Sequence, residues 1–155
     1  MNLEIKWHKP LKLKDGSKIG LIYKIDGLEA WNGLSGVYMF CRQYAKSLAP
    51  LYIGKADDVG RRIKQHLNSI KLMKGIENSQ NGDKILMLGT FVPKSGQNKQ
   101  KAISSIEKAL IEHALLEGYE LLNKQGTKTP VHKISFSGYL PARNMTGQSM
   151  YIKAK

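Results

Sequence analysis

The apolar positions in the first third of the chain follow the alternating pattern of β-strands. Residues 11–25 predict a hairpin, because apolar and polar positions alternate from residue 11, Asp15-Gly16 supplies a turn and the following residues are β-prone. Two short apolar runs rich in Val, Tyr, Phe and Ile come next, at 36–41 and 50–53. They predict two adjacent strands joined by a loop near residues 42–49.

Two stretches further along the chain repeat apolar residues at the spacing of amphipathic helices. Asp57 or Asp58 can cap the first helix, which we expect to run to about Lys74. The second helix is predicted over residues 103–117, and Gly118 is a suitable stop because glycine readily adopts the backbone conformation that ends helices.

The remaining segments complete the order of elements. Residues 85–92 predict a third core strand, 93–101 a polar loop with three lysines and 132–140 a late strand, whereas the tail from Pro141 reads as irregular. The order of strands, helix, strand and helix predicts a small α/β (α+β) sandwich with a mostly antiparallel sheet. The length of 155 residues suits a single domain over residues 1–155 with its own core.

Polar residues interrupt the apolar face of the first predicted helix. At 100° per residue its apolar stripe consists of Val59, Ile63, Leu67 and Ile70. Arg62 falls on the edge of this stripe and His66 almost inside it, whereas Arg61 points toward solvent. Because Arg62 and His66 are four residues apart, their side chains are neighbours. A lone histidine on such a face is more often a satisfied core residue than a functional one.

Glu107 projects from the middle of the apolar face of the second predicted helix. That face consists of Ile103, Ile106, Leu110, Ile111 and Ala114. A carboxylate in this position must be paired, protonated or bound to a cation. One interpretation is a buried ion pair with Arg62 that performs no chemistry; the other is a cation site.

The composition adds a strong positive charge. The chain has 25 Lys and Arg residues against 12 Asp and Glu residues, a formal net charge of +13. Such an excess attracts polyanions, of which nucleic acid is the first candidate and an anionic membrane surface the second. The plain alternative is a basic protein without a polyanionic partner.

Cys41 is the only cysteine, so an internal disulfide and a cysteine-rich zinc site are excluded. We expect no membrane partner, because no apolar run approaches membrane-spanning length. The first ten residues mix charged and apolar positions and do not resemble a signal peptide, so we expect a cytoplasmic protein.

Six polar side chains of these predicted strands and helices form a chemically coherent set: Tyr38, Tyr52, Lys55, Arg62, His66 and Glu107. Taken singly, the tyrosines read as core aromatics and the lysine as a solvated charge. Taken together, two phenols, two cations, an imidazole and a carboxylate can hold a divalent cation, activate a water molecule and stabilise a phosphate.

The order and spacing of these residues resemble the GIY-YIG nuclease superfamily. The resemblance rests on Gly36-Val37-Tyr38, on Tyr52-Ile53-Gly54, on Arg62 with His66 four residues later, on Glu107 within a helix and on Asn123. It spans about residues 34 to 123. The family includes homing endonucleases, a bacterial excision-repair nuclease, structure-selective nucleases and some restriction enzymes.

The resemblance implies a fold and an activity. The fold is a three-stranded antiparallel sheet flanked by helices, to which this chain adds an N-terminal hairpin and a C-terminal strand and tail. The activity is metal-dependent hydrolysis of phosphodiester bonds in DNA, with Glu107 as the protein ligand of one Mg²⁺ (or Mn²⁺) ion and waters completing its shell.

The resemblance also implies a role for each residue. Arg62 would contact the scissile phosphate. Tyr38 or Tyr52 would accept a proton from the attacking water, aided by a cation such as Lys55 that lowers the pKa of the phenol. His66 would orient the water or a tyrosine, or accept a proton. Gly54 would let the backbone approach the substrate. Asn123 would pin the helix end or a tyrosine.

The sequence leaves the subtype open. The compact chain favours a restriction-type endonuclease working as a homodimer, since cutting two strands needs two sites. A structure-selective or nonspecific nuclease is the alternative, as is a catalytically silent nucleic-acid-binding module or a plain structural domain with the same fold. Specificity would come from the N-terminal hairpin, from the loop 94–101, or from a tail with Tyr139, Arg143, Asn144 and Gln148.

Overall fold

A computed structural model of the chain describes residues 2–123 and 131–153. The strands of these residues are β1 (Ile5–Trp7), β2 (Leu11–Lys12), β3 (Lys14–Asp15), β4 (Tyr23–Lys24), β5 (Gly36–Tyr44), β6 (Ser47–Ala56), β7 (Asp83–Phe91), β8 (Val131–Ser135) and β9 (Ser149–Lys153). The helices are α1 (Val59–Leu67), α2 (Ile70–Glu77), α3 (Lys99–Leu116) and α4 (Leu140–Thr146).

The main sheet is antiparallel and has the strand order β1-β7-β5-β6, with β2 also pairing with β7. Its three long strands are the three predicted core strands, and β5 lies between the other two. The prediction of a mixed α/β fold with an antiparallel sheet flanked by helices is confirmed.

The side chains of β5 alternate between two cores, one on each face of the sheet. Tyr38 and Phe40 point into the larger core, which α1 and α2 cover. Val37 points into a smaller core that is completed by Phe91 and by the first turns of α3. The sheet is therefore sandwiched between helices, and α3 also runs beside the edge strand β6.

The loop predicted near residues 42–49 is wrong, because β5 and β6 continue through it to a turn at Ala45 and Lys46. Ala45 takes a left-handed conformation there, with φ 53°. The strand pairing slips by one residue near Pro50. Proline has no N–H to donate to a ladder, so a bulge on an edge strand accommodates it.

The first predicted helix is correct at its start and wrong at its end. Asp58 caps α1 by accepting a hydrogen bond from the backbone N–H of Arg61 at 3.1 Å. The helix stops at Leu67, and Ser69 then caps the separate helix α2. Ile70 belongs to that second helix and is 71% exposed, so it is not part of the predicted apolar stripe.

The N-terminal hairpin exists in a shorter form than predicted. β3 pairs with β4, but the turn at Asp15-Gly16 continues into a short 3-10 helix at Ser17–Ile19. The Asp15 carboxylate accepts hydrogen bonds from Ser17, which fixes this longer connection. Residues 11 and 12 pair with β7 of the main sheet rather than within the hairpin.

The C-terminal prediction is partly wrong. The late strand ends at Ser135, five residues before its predicted end. The tail from Pro141 is not irregular over residues 141–153, because it forms α4 and then β9, which pairs back with β8. Pro141 lies in the first turn of α4, where a missing N–H costs no helical hydrogen bond. Residues 154 and 155 of the tail lie outside the described residues.

The second long helix agrees with the prediction for most of its length. It begins earlier than predicted, at Lys99, where Asn98 caps it. It ends with Leu116, and Gly118 follows in a left-handed conformation, with φ 87°. Glu107 therefore lies near the middle of a helix of 18 residues.

Candidate active site

An open cleft of about 880 Å³ lies at the β6 edge of the sheet, between the helices of the two faces. It brings together all eight residues that the sequence singled out: Tyr38, Tyr52, Gly54, Lys55, Arg62, His66, Glu107 and Asn123. These residues come from two strands, from α1, from α3 and from the segment after α3. The first of these residues is Tyr38 and the last is Asn123, so the fold assembles one site from a stretch of 86 residues.

A buried hydrogen bond joins Tyr38 to His66 at the floor of this cleft. The Tyr38 hydroxyl lies 2.7 Å from Nε2 of His66. Tyr38 is 1% exposed and His66 6% exposed. The bond links the central strand to α1, because the apolar stripe of α1 packs against the sheet and carries His66 inward with it.

Burial and, to a lesser extent, the neighbouring Arg62 guanidinium together lower the pKa of His66 to about 4. The imidazole is therefore neutral near pH 7. Neutral imidazole has one nitrogen that accepts a hydrogen bond and one that donates. His66 can thus serve as an acceptor for the Tyr38 proton.

Burial also raises the pKa of Tyr38, and the nearby Tyr52 adds to this effect, so Tyr38 is a neutral phenol at pH 7. Arg62 acts in the opposite direction through hydrogen bonding and charge. The cation that acts on this phenol is therefore Arg62, and not Lys55 as the sequence suggested. Lys55 instead donates a hydrogen bond to Ser104 of α3 at 2.8 Å.

Gly54 lies opposite Tyr38 in the pairing of β6 with β5. The Tyr38 ring crosses the neighbouring strand at this point, so a Cβ on Gly54 would overlap with the Tyr38 hydroxyl and ring. The missing side chain gives the ring the room it needs to reach His66. The sequence pattern does not predict this dependence, because it follows from the strand register.

Tyr52 lies beside the same two rings without sharing their hydrogen bond. Its ring centroid is 6.5 Å from that of Tyr38 and 5.2 Å from that of His66, against which it makes an edge contact. Tyr52 is only half-buried. The two tyrosines therefore differ: Tyr38 is bonded to the imidazole, and Tyr52 faces the open part of the cleft.

Arg62 is exposed and lines the cleft. The helix pattern predicted that it lies on the edge of the apolar stripe of α1. Its Nη1 donates a hydrogen bond to Oε1 of Gln65 at 2.9 Å. Gln65 was not singled out from the sequence, although its position three residues after Arg62 on a helix was a usable signal. The bond orients the guanidinium along the wall of the cleft.

Glu107 is half-buried on α3 and faces the cleft. Burial raises the pKa of its carboxyl group, while Lys55 and Lys108 oppose that rise. The buried ion pair with Arg62 is not found, because no oxygen of Glu107 lies within 4.0 Å of a nitrogen of Arg62. The carboxylate is thus left facing the cleft.

Glu107 is the one carboxylate among the described residues that line the cleft. In residues 2–123 and 131–153, no three His, Cys, Asp or Glu side chains cluster as a set of metal ligands. Mg²⁺ suits this arrangement, because it prefers oxygen ligands and usually keeps several of its waters. The donor present therefore fits a hydrated Mg²⁺ or Mn²⁺ ion that also contacts a phosphate.

Asn123 pins the segment after α3 to the edge of β6. Its side-chain amide accepts a hydrogen bond from the backbone N–H of Ile53 at 3.0 Å and donates one to the Ile53 carbonyl at 2.6 Å. The backbone N–H of Leu122 bonds the carbonyl of Leu51 nearby. Of the two roles predicted for Asn123, this geometry matches the pinning of the helix end.

Further residues that the sequence did not single out line the cleft: Ile53, Gln65, Ser69, Lys71, Leu72, Gly75, Ile111 and Leu122. Half of them, Ser69, Lys71, Leu72 and Gly75, belong to α2 or to the segment leading into it. The contribution of these four residues depends on the break after Leu67, which turns α2 toward the cleft. The prediction of one continuous helix could not have placed them there.

The fold and the site together define a class of protein. A mixed α/β domain carries a neutral tyrosine–histidine pair, an arginine and a carboxylate in one open cleft, and these groups have the chemistry to bind a phosphate diester. A family model, the GIY-YIG catalytic domain, matches residues 34–120. The chain therefore belongs to the GIY-YIG family, and its class is that of the nucleases.

Other comparisons add nothing to this assignment. Neither the curated proteins nor the solved structures gave a match to the chain. Within the described part of the chain, no helix is both long enough and apolar enough to span a bilayer.

Proposed function

We propose that this protein is a divalent-metal-dependent endonuclease that hydrolyses phosphodiester bonds of DNA. The observation that carries the proposal is the 2.7 Å contact between Tyr38 and His66, in a cleft that Arg62 and Glu107 also line. The cleft is open, as a polymer substrate requires, and the net charge of +13 favours a polyanion.

In this proposal Tyr38 and His66 move the proton of the attacking water. Tyr38 donates its hydroxyl proton to Nε2 of His66 and accepts the proton of the water, whose oxygen bonds to phosphorus as the bond between phosphorus and the 3′ oxygen breaks. The leaving 3′ oxygen takes a proton from solvent. A buried phenol does not ionise by itself at pH 7, so the imidazole is needed as the acceptor. The positive charge on His66 forms as negative charge develops on the phosphate.

Arg62 binds the scissile phosphate and stabilises the charge of the transition state. Glu107 holds the cation, and when bound the cation supplies Lewis-acid stabilisation of the phosphate and the leaving 3′ oxygen. Lys55 favours the ionised form of Glu107, which metal binding requires. Tyr52, at the open side of the cleft, orients the substrate.

The test is cleavage of a supercoiled plasmid by the purified protein with Mg²⁺ or Mn²⁺, with EDTA as the blank. We expect nicks or cuts with the metal alone. Arg62→Ala and Glu107→Ala should lower the rate at least about 100-fold, since each removes stabilisation of the transition state. Arg61→Ala and Glu112→Ala are the matched controls, because both side chains are exposed on the same helices.

The proposal fails if the folded wild type cuts neither plasmid nor single-stranded DNA nor RNA, or if the cleft variants cut as fast as their controls. Binding without cleavage would identify the silent module instead. Sequencing the ends of the products separates the subtypes: discrete ends from a homodimer identify the restriction type, and scattered ends a structure-selective or nonspecific enzyme. Cleavage of RNA alone would replace DNA as the substrate.

A further inference from the structure

Residues 131–153, the C-terminal unit, lie beyond the residues that the family model matches. β8 and β9 form an antiparallel hairpin, and α4 is the connection between them. The unit joins the rest of the molecule through α3, which packs against β9. Gly118 lies directly under the ring of Tyr151, so close that a Cβ on this glycine would overlap with the ring.

The C-terminal end of the chain has cations and no acids. All 12 Asp and Glu residues come before residue 121, whereas six Lys and Arg residues follow it: Lys124, Lys128, Lys133, Arg143, Lys153 and Lys155. Within the described part of the unit, neither Lys133 nor Arg143 has a carboxylate oxygen within 4.0 Å. Nε of Arg143 is buried and has no hydrogen-bond partner.

Large apolar side chains that flank Arg143 in the chain are exposed to solvent. Tyr139 is 76% exposed, Leu140 56% and Met145 83%. Asn144 and Gln148 add two exposed amides. An exposed lysine and a half-buried arginine, together with an exposed aromatic ring, Leu and Met, are typical of surfaces that contact a nucleic-acid backbone and pack apolar side chains against bases.

The helix α3 links this surface to the site. Glu107 and the end of α3 at Leu116 are nine residues apart, or about 14 Å along the helix axis at 1.5 Å per residue. That length corresponds to about four base pairs of duplex DNA. A duplex that ran along α3 with its scissile phosphate beside Glu107 would therefore span the distance to the C-terminal unit.

We propose that the C-terminal unit is a second docking surface for duplex DNA, about four base pairs or more to one side of the cut. The inference rests on the proposed function. The loop 94–101 is a weaker candidate, because Lys94 pairs with Glu4 at 3.6 Å and Gln97 donates a hydrogen bond to the Asn2 carbonyl. Those side chains hold the N-terminal segment, whereas in the C-terminal unit Lys133 faces solvent and Nε of Arg143 has no hydrogen-bond partner.

The first experiment measures binding of a fluorescent 30-base-pair duplex in EDTA, over a series of salt concentrations. We expect the double variant Lys133→Ala/Arg143→Ala to bind about tenfold more weakly, with a salt slope smaller by about two, because two phosphate contacts are lost. The matched control is Lys6→Ala/Lys9→Ala, which removes two exposed lysines at the opposite edge of the sheet. This control should bind the duplex about as tightly as the wild type, with only the small loss of affinity that follows from lowering the net charge.

A second experiment keeps the cations in place, so it does not depend on the folding of the double variant. Cys41 is buried and is the only native cysteine, so a cysteine introduced on the surface can be labelled selectively with an azidophenacyl group. Light should crosslink the Met145→Cys protein to the duplex. Ile19→Cys, on the N-terminal hairpin at a position that is 62% exposed, should give at most a tenth of that crosslink.

The outcomes separate this inference from the proposed function. If the wild type cuts DNA but both double variants bind alike and both labels crosslink alike, the inference is wrong and the proposed function stands. If the double variant changes the oligomeric state and leaves DNA affinity unchanged, the surface contacts a second copy of the chain, which also overturns the inference. If the wild type neither binds nor cuts DNA, the proposed function itself fails.

Discussion

Tyr38 and Tyr52 carry the same phenol on neighbouring strands, yet the fold gives them different partners. Tyr38 lies over Gly54 and reaches the imidazole of His66, whereas Tyr52 keeps an edge contact with that imidazole. At the scale of single residues, the two tripeptides of the family motif are therefore complementary. The glycine of one makes space for the tyrosine of the other.

Gly54→Ala should inactivate the protein with a modest loss of stability. The added methyl displaces the Tyr38 hydroxyl from His66, and a shift of about 1 Å at a reacting group costs on the order of 100-fold in rate. Overpacking lowers the free energy of unfolding by about 1–3 kcal/mol. Plasmid cleavage and urea denaturation measure the two effects. In a Tyr38→Ala background the same substitution should cost far less stability, because the Tyr38 ring is no longer there to clash with the methyl group. An equal cost in both backgrounds would show that the methyl group does not meet the Tyr38 ring.

His66 gives the stability of the protein a defined dependence on pH. Burial holds the pKa of the folded imidazole at about 4, below its usual value of 6.5. Between these values the unfolded chain binds a proton that the folded protein does not, so stability falls as the pH drops from about 6.5 to 4. The loss in free energy of unfolding is on the order of 3 kcal/mol, at about 1.4 kcal/mol per pKa unit.

Chemical denaturation at several pH values, compared between wild type and His66→Gln, isolates this contribution. The variant should lack the fall between pH 6.5 and 4, whereas His113→Gln, at an exposed position of α3, should keep it. A fall of the same size in all three proteins would show that His66 is not the group responsible.

The residue types of the site could be predicted from the sequence, but their pairing could not. The spacing of Arg62 and His66 and the position of Glu107 on an apolar face already indicated one site. Tyr38, and not Tyr52, is the partner of His66 because of the register of β5 against β6 and the position at which α1 packs on the sheet. These are properties of tertiary packing, which no local pattern encodes.

At the scale of elements, the site depends on how α3 is attached to the sheet. The side chain of Asn123 pairs with both backbone groups of Ile53, as the backbone of another strand would. This pairing covers the edge of β6 at Ile53. It also fixes the segment that follows α3, the helix that carries Glu107. A buried edge without such pairing would leave polar groups unsatisfied.

Asn123→Ala should therefore loosen α3 as well as destabilise the fold. Two buried backbone groups of Ile53 lose their partners, which costs about 2–3 kcal/mol of unfolding free energy. Hydrogen exchange at the Ile53 amide should speed up, and plasmid cleavage should slow as Glu107 loses its position. Asn78→Ala, at an exposed helix end, is the control and should change neither. Unchanged exchange at Ile53 would refute the pinning role.

Elements with a clear local signal were predictable, and those governed by competing signals were not. The caps at Asp58 and the stop at Gly118 follow from single residues with strong preferences. The break after Leu67 was missed because apolar residues continue in helical spacing across it, although Ser69 is a second cap. α4 was missed because it is only seven residues long and opens with Leu-Pro.

At the scale of the whole molecule, the cleft lies where the two helical layers meet beside one sheet edge. A cation there would join α3 to the phosphate rather than hold the fold together, since Glu107 is its one protein carboxylate in the cleft. The family match covers residues 34–120, so the N-terminal hairpin and the C-terminal unit are additions around that core.

Mg²⁺ should raise the melting temperature of the wild type through Glu107 alone. A tenfold excess of Mg²⁺ over its dissociation constant adds about 1.4 kcal/mol, which corresponds to about 3–5 °C for a chain of this size. Differential scanning fluorimetry measures the shift. Glu107→Gln should lose it and Glu112→Gln should retain it. Equal shifts in both variants would place the cation elsewhere.

The turn at Ala45 and Lys46 offers a place to attach cargo to this molecule. Tyr38 is held by its pairing with Gly54, six residues below the end of β5, so the turn lies about 20 Å along the strand from that pair. Extra residues inserted between Ala45 and Lys46 lengthen the hairpin tip without shifting any paired position. A fluorescent tag or a targeting peptide can therefore be built into this tip while the cleft keeps its shape.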